Sequence, residues 1–224
     1  TGTYTGDIPA QADSTVVYYE ITAIDADGNA ATSEEMSYGV YDPVSVSLPF
    51  VETFDDDLGQ MKANNITGDQ EWEYSSYEYA QISGYDGSNN NENEDWLITP
   101  GLDLSDESAA SLTFEEAINY ASSIDLNAKM EVYVSTDYEG SGDPNSASWN
   151  KLEITNRGSG DSWDWVQVNP VDLSEYVGEP EVYVAFKYTS TDSKAGYWEI
   201  DSVSVTSEAP ANLAPEISNV DITP

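Results

Sequence analysis

From Phe50 to Val205 the chain is built of short runs rich in β-branched and aromatic residues, each cut off by a cluster of Gly, Asp, Asn or Pro. The predicted strands are Phe50–Phe54, Trp72–Tyr74, Trp96–Thr99, Ser111–Ala117, Met130–Ser135, Lys151–Thr155, Trp165–Val168, Glu181–Tyr188 and Tyr197–Val205. Runs of this length with an apolar/polar period of two bury one face of a sheet. No long amphipathic helix interrupts them; Leu173–Val177 (LSEYV) suits a single turn. Many short strands joined by turn-rich gaps predict an all-β fold, an antiparallel β-sandwich of jelly-roll type.

Both flanks read differently. Thr15–Asp25 (TVVYYEITAID) alternates like a strand, Asp25–Asn29 (DADGN) is a turn in which Gly28 supplies a positive φ, and Ala30–Val40 is the returning strand. Asp25 and Asp27 are also oxygen donors, although a hairpin turn accounts for both. Two or three strands are too few for a core of their own. Residues 1–42 are therefore expected to be the C-terminal part of an immunoglobulin- or fibronectin-like domain, and residues 43–207 the jelly roll. Residues 208–224 are expected to be a linker (EAPANLAP) followed by the first strand (EISNVDITP) of a second immunoglobulin-like domain. Thr1 in place of Met, with no leader segment, reads as a mature piece or fragment of a longer chain.

Charge narrows the partners. Asp and Glu number 43 against 6 Lys and Arg, a formal net charge of −37. Such a surface repels phosphate backbones and anionic lipid, so neither nucleic acid nor a membrane surface is an expected partner. It favours cations, and its self-repulsion is relieved by salt or bound divalent ions. Disorder is the usual fate of so acidic a chain, but 16 Tyr, 6 Trp and 4 Phe are too many for a disordered tail. There are no Cys and no His. That removes disulfides, Cys/His zinc sites and Ser-His-Asp or Cys-His catalysis. No run is long and apolar enough to span a membrane as a helix.

Taken in order, the segments FVETFDDD, NNNENEDWLITPGLDLS, LTFEEA, EVYVSTDYEGSGDP, WNKLEI, VDLSEYVGEPEVYVAFKYTST and YWEIDSVSV make Ser47–Thr206 resemble the choice-of-anchor J domain. That family is related to the cleaved-adhesin domains of gingipains and, more distantly, to MAM-type jelly rolls. The resemblance implies a secreted or cell-surface protein, typically from Bacteroidetes, in which such domains sit beside immunoglobulin-like repeats. It implies an adhesive or accessory role, a structural Ca2+ ion and no catalysis.

In related jelly rolls a carboxylate of the first strand and one of the last meet at that ion; the matching positions are Glu52 and Asp201, each set among apolar residues. Calcium takes six to eight oxygen ligands, and this chain offers no softer ones. Asp55, in the acidic turn after Phe54, is a further candidate, though a polar turn explains it too. Asn93 and Asp95 lie two residues apart, on one side of an extended chain, directly before Trp96. Glu94 faces away from them, and Asn89–Asn91 suit a solvated flap. The loop Thr67–Glu71 (TGDQE) is poorer in Asp than its counterpart in the gingipain-like relatives, leaving Asp69 as its candidate donor.

Sugar sites on β-sandwiches use exposed aromatic faces with polar neighbours. The candidates are Tyr77, Tyr79 and Tyr85 in EYSSYEYAQISGYDG, and Trp149, Trp163 and Trp165 in turn-rich segments. Large side chains also cover the edges of a sandwich short of Phe and Leu, so both readings stand; Trp72, Trp96 and Trp198 are assigned to the core. Carboxylate pairs suited to glycosidic chemistry are too common in so acidic a chain to mean anything, and neighbours such as Glu115 and Glu116 point to opposite faces of a strand. No phosphate loop, nucleophile elbow or metalloprotease motif is present. The expected function is a non-catalytic, calcium-binding adhesion or accessory module. The alternatives are a structural repeat of a stalk or filament, assembling through its terminal strands, and a carbohydrate-binding module attached to a secreted hydrolase. The expected partner is an extracellular polysaccharide or a surface protein.

Overall fold

A computed structural model describes residues 15–25, 27–40 and 45–210. The chain divides into two compact units, Thr1–Val44 and Ser45–Pro224. The expected strand at 216–224 and the terminal-strand assembly it would mediate lie outside the described residues, as do residues 41–44 at the expected first domain boundary.

In the first unit β1 (Thr15–Tyr19) and β2 (Thr22–Ile24) are followed by β3 (Ala30–Thr32) and β4 (Met36–Val40). β1 pairs antiparallel with β4, and β2 with β3. Each predicted long strand is broken into two because Ser33 intervenes: its Oγ accepts from the Ile21 amide at 3.0 Å, and its own amide donates to Ile21 O at 2.9 Å. Asp25 closes the turn. Its Oδ1 accepts from the amides of Asp27 and Asn29 at 2.9 and 2.8 Å, its Oδ2 from Asn29 Nδ2 at 2.8 Å, and Gly28 takes φ +86°. Both carboxylate oxygens are used, which is the turn role foreseen for Asp25.

Among its described residues the second unit is all β apart from single helical turns at Leu126–Lys129, Pro144–Ser146 and Ser174–Tyr176. Its strands are β5 (Val46–Ser47), β6 (Phe50–Glu52), β7 (Lys62–Thr67), β8 (Glu73–Ser75), β9 (Tyr79–Ser83), β10 (Asn93–Ile98), β11 (Leu102–Asp103) and β12 (Ser111–Asn119). They continue with β13 (Met130–Ser135), β14 (Asn150–Leu152), β15 (Ser162–Gln167), β16 (Val171–Asp172), β17 (Tyr183–Ser190) and β18 (Tyr197–Thr206). One sheet has the order β14-β13-β17-β10-β7; the other has β15-β12-β18-β9-β8, with β16 beside β12 and β6 beside β18. These ladders are antiparallel, and among the described residues only the short β11–β5 pair is parallel.

Alternation sends one side of each sheet inward. Val132 and Val134 of β13 and Val184, Phe186 and Tyr188 of β17 are buried, as are Leu112, Phe114 and Ile118 of β12 and Trp198 and Ile200 of β18. Rings bridge the two sheets: Phe114 meets Phe186 edge-on at 5.0 Å between centroids, and Phe186 meets Trp198 at 5.9 Å. Each ring buries on the order of 150–250 Å² of surface, so this aromatic seam compensates for the shortage of Leu and Phe. In β18 the period of two slips once. Ser202 has φ +53°, and the β12–β18 ladder shifts register between Thr113 and Glu115. This β-bulge keeps Ile200 and Val203 both inside although they are three residues apart.

One charged pair lies beneath the second sheet. Glu116 has no exposed surface, and the side chain of Arg157 is 10% exposed. Arg157 Nε and Nη2 donate to the two Glu116 oxygens at 3.1 and 2.9 Å, and the Gly158 amide and Trp198 Nε1 complete the set, each at 2.9 Å. Arg157 Nη1 also donates to Met130 O at 2.7 Å. The pair fastens the loop at 156–161, which leads into β15, to the underside of β12.

Candidate binding groove and oxygen cluster

The solvent face of the second sheet forms a groove of ≈ 970 Å³. Residues that alternate with core side chains line it: Tyr197 and Glu199 flank Trp198 on β18, and Tyr79 and Gln81 flank Ala80 on β9. Glu199 stands opposite Gln81 in one ladder and opposite Ala117 of β12 in the other. Ala117 has no exposed surface, so the sheet is low at that point. Trp163 and Trp165 rise from the edge strand β15 as one wall, 45% and 40% exposed.

Four loops close one end. Asn90 Nδ2 donates to Ser193 O at 3.1 Å, Lys194 Nζ to Ser123 O at 2.6 Å, and the Ala121 amide to Gly160 O at 2.8 Å. Tyr120 stands between them with φ +55°, a left-handed conformation that a bulky residue rarely adopts, held by its amide donating to Asn119 Oδ1 at 2.7 Å. The rings brace one another edge-on: Tyr120 with Trp163 at 5.8 Å, Trp163 with Tyr197 at 5.6 Å, and Tyr79 with Trp165 at 5.4 Å. Burial pushes the Tyr79 and Tyr197 hydroxyls up from the usual phenol range, and the Glu199 carboxyl up from the usual carboxylate range, the last opposed by a hydrogen bond from Tyr79.

Four of the six aromatics singled out for sugar binding converge here: Tyr79, Tyr85, Trp163 and Trp165. Tyr77, 80% exposed, stacks on Tyr79 at 6.4 Å outside the groove. Trp149 does not belong with them. It lies over the solvent side of the other sheet, against Trp96 at 5.2 Å and Tyr138 at 5.5 Å, with Nε1 donating to Pro144 O at 2.8 Å. Its role is to cover Trp96. Sequence reasoning passed over Tyr120, Tyr197, Gln81 and Glu199. For Tyr197 and Glu199 the signal was available, since placing Trp198 in the core forces both neighbours to the opposite face; Tyr120 carried no such signal.

The candidate metal ligands fall into two groups. Glu52, buried on the inner side of β6 opposite Val203, is already engaged. Its Oε1 accepts from the amides of Thr53 and Phe54 at 3.1 and 3.0 Å, and its Oε2 from the Gln60 amide at 2.8 Å. Asp201 is turned to the outer face by the Ser202 bulge and accepts from the Ser202 amide at 2.6 Å. Burial raises its carboxyl, with Glu115, Asp55 and Glu78 adding to the rise. Asp55 is exposed, and its carbonyl accepts from Tyr74 OH at 3.1 Å. The structure does not bring Glu52 and Asp201 to one point.

Asn93 and Asp95 are different. They are 2% and 0% exposed at the start of β10. Asn93 Nδ2 donates to Gln70 O at 2.7 Å and, at short range, to Asp95 Oδ2. Asn93 Oδ1, Asp95 Oδ1 and Gln70 Oε1 are all buried without a hydrogen-bond partner. Burial pushes the Asp95 carboxyl up to about 7, with Glu71 and Glu94 adding to it against the hydrogen bond from Asn93. Gly68, at φ +96°, leaves the space: a Cβ there would stand 1.7 Å from Asn93 Oδ1. Orphaned buried oxygens are costly unless something meets them. Among the described residues no three His, Cys, Asp or Glu side chains gather as a metal cluster; this donor set is one carboxylate with amide oxygens.

No family model matches the chain, and no curated protein matches it. Among solved structures, the fold is similar to the K1 cleaved adhesin domain of Lys-gingipain from Porphyromonas gingivalis W83 (19% identity, 72% of this chain and 99% of that one, TM-score 0.49). It is also similar to the K3 domain of the same protein (19%, 70% and 98%, TM-score 0.47). A third is the N-terminal cellulose-binding domain of Cellulomonas fimi β-1,4-glucanase C (15%, 71% and 95%, TM-score 0.41). At such identities and scores these are likenesses of fold at a distance. The class defined by this chain's own residues is an antiparallel β-sandwich with an aromatic groove on one face.

Proposed function

We propose that the chain is a non-catalytic, extracellular binding module that holds a polysaccharide in the groove between Trp163, Trp165, Tyr120, Tyr197 and Tyr79. The observation that supports this is the convergence of half-exposed rings from four separate strands and loops on one concavity that also presents Gln81, Asn90 and Glu199. Aromatic rings cover the apolar CH faces of sugar rings, while a few placed polar groups meet the hydroxyls. The test is affinity electrophoresis and calorimetry against soluble glycans. Trp163→Ala and Trp165→Ala should each weaken binding about tenfold or more, roughly 1.4 kcal/mol. Their unfolding midpoints should stay near wild type, because both side chains are partly exposed. A blank panel, or variants that bind as well as wild type, would refute the reading.

A second element rests on the orphaned oxygens. Gln70, Asn93 and Asp95 fit a hard cation such as calcium, which would supply the missing partners and lock the loop at 67–71 against β10. At a concentration 100 times its dissociation constant, an ion bound only by the folded state adds about 2.7 kcal/mol. For a domain of this size that is roughly 5–11 °C in the unfolding midpoint. Calcium against chelator should show that shift, and Asp95→Asn should abolish most of it. Identical midpoints, with no metal by elemental analysis, would remove the ion.

A further inference from the structure

We infer that the groove selects uncharged polysaccharides and turns away chains bearing uronate or sulfate groups; this rests on the glycan reading above and names its ligand class. The lining holds one basic side chain, Lys194, whose Nζ donates to Ser123 O at 2.6 Å, tying two wall loops together while its charge stays in the groove. Three of the other basic residues are ion-paired elsewhere: Arg157 with Glu116, Lys151 with Glu131, and Lys187 with Glu94.

Glu199 is the acid of the lining, and further carboxylates stand beyond it. Outward along β18 come Tyr197, Glu199 and Asp201. Glu199 is in the groove, and Asp201 stands opposite Glu115 in the ladder, within the field of Asp55 and Glu78. Beside the floor, Gln81 Nε2 donates to Glu73 Oε1 at 2.8 Å. A glycan laid from the looped end across the sheet passes these carboxylates in turn. Fixed charge screens over about 8 Å at physiological salt, so the local carboxylates matter more than the chain's net charge.

A neutral sugar gains from this arrangement. Its hydroxyls donate to Glu199, a charge-assisted acceptor, and exchange hydrogen bonds with Gln81 and Asn90. A uronate or sulfate brings a like charge to the same place, where Glu199, Glu73 and Asp201 outnumber the single cation, Lys194.

The experiment is a matched pair. A panel of neutral soluble glycans is screened by affinity electrophoresis, and the neutral backbone that binds is compared by calorimetry with its own carboxymethylated or sulfated derivative, as hydroxyethyl cellulose would be with carboxymethyl cellulose. The charged derivative should bind at least about tenfold more weakly. The double variant Glu199→Gln/Asp201→Asn, which removes charge while keeping shape, should narrow that ratio. A derivative that binds as well as the neutral parent overturns the inference and leaves the glycan reading standing. An undiminished ratio in the double variant assigns the exclusion to bulk rather than charge and overturns it too. If no glycan binds, the glycan reading itself has failed and this inference goes with it.

Discussion

Arg157→Met should be among the most damaging single changes in the sandwich. The substitution strips two charge-assisted bonds from Glu116, which is wholly buried, and leaves it with the Gly158 amide and Trp198 Nε1 alone. It also removes the Nη1 bond to Met130 O and lifts a guanidinium that lies 5.6 Å from the centre of the Trp198 ring. Breaking a buried pair from one side costs about 3–5 kcal/mol, because the remaining charge has no solvent and no counter-ion. At about 2–4 °C per kcal/mol for a domain of this size, the midpoint should fall by roughly 6–20 °C. Urea unfolding followed by tryptophan fluorescence should show a lower midpoint with an unchanged slope. Removing both charges, Glu116→Leu with Arg157→Met, should recover most of the loss, since a buried pair is worth little against apolar replacements. A double-mutant cycle measures the coupling. A loss below about 1 kcal/mol in Arg157→Met, or a double variant as unstable as the sum of the singles, would refute a pair of this kind. Because the pair anchors the loop that carries β15, Arg157→Met should also weaken glycan binding while the double variant retains it.

Glu52→Ala should cost about 3 kcal/mol by leaving three amides without an acceptor, and the loss should be the same with calcium as with chelator, as measured by thermal unfolding; a loss confined to calcium-loaded protein would make Glu52 an ion ligand after all. Gly59→Ala should be destabilising in the same assay, because φ is +59° and the new Cβ would stand 1.9 Å from Glu52 Oε2; a neutral result would contradict that packing. With a net charge of −37, the urea midpoint should rise as sodium chloride replaces low-salt buffer, and a flat dependence would show that self-repulsion is not a significant term.

Local pattern carried the architecture. Trp72, Trp96 and Trp198 are 2%, 2% and 0% exposed, as strands of alternating character required. Two of the longer strands escaped: Tyr79–Ser83 (YAQIS), which alternates but is short and follows a turn-like run, and one that does not alternate in polarity. Lys62–Thr67 (KANNIT) is an edge strand with little burial, and its membership depends on pairing with β10 rather than on its own composition. The Glu52–Asp201 expectation shows a different limit. Strict alternation back from Val205 and Val203 would have put Asp201 inside, on the same side as Glu52. A single bulge at Ser202 reverses the face of everything before it, and nothing in EIDSV marks that bulge. The groove was legible only in pieces. Its rings come from β9, β15, β18 and the loop after β12, and their convergence follows from the order of the second sheet, which is set by long-range pairing. The oxygen cluster was half legible: Asn93 and Asp95 were placed together by spacing, but Gln70 joins them only through the fold.

The most direct test of the groove is to watch the six indole N–H signals of 15N-labelled protein during titration with the neutral glycan that binds it. The signals of Trp163 and Trp165, assigned by single substitution, should shift in saturable fashion with one dissociation constant, while those of the buried Trp72 and Trp198 stay in place. Shifts confined to Trp149 and Trp96 would move the binding site to the other sheet and contradict the account.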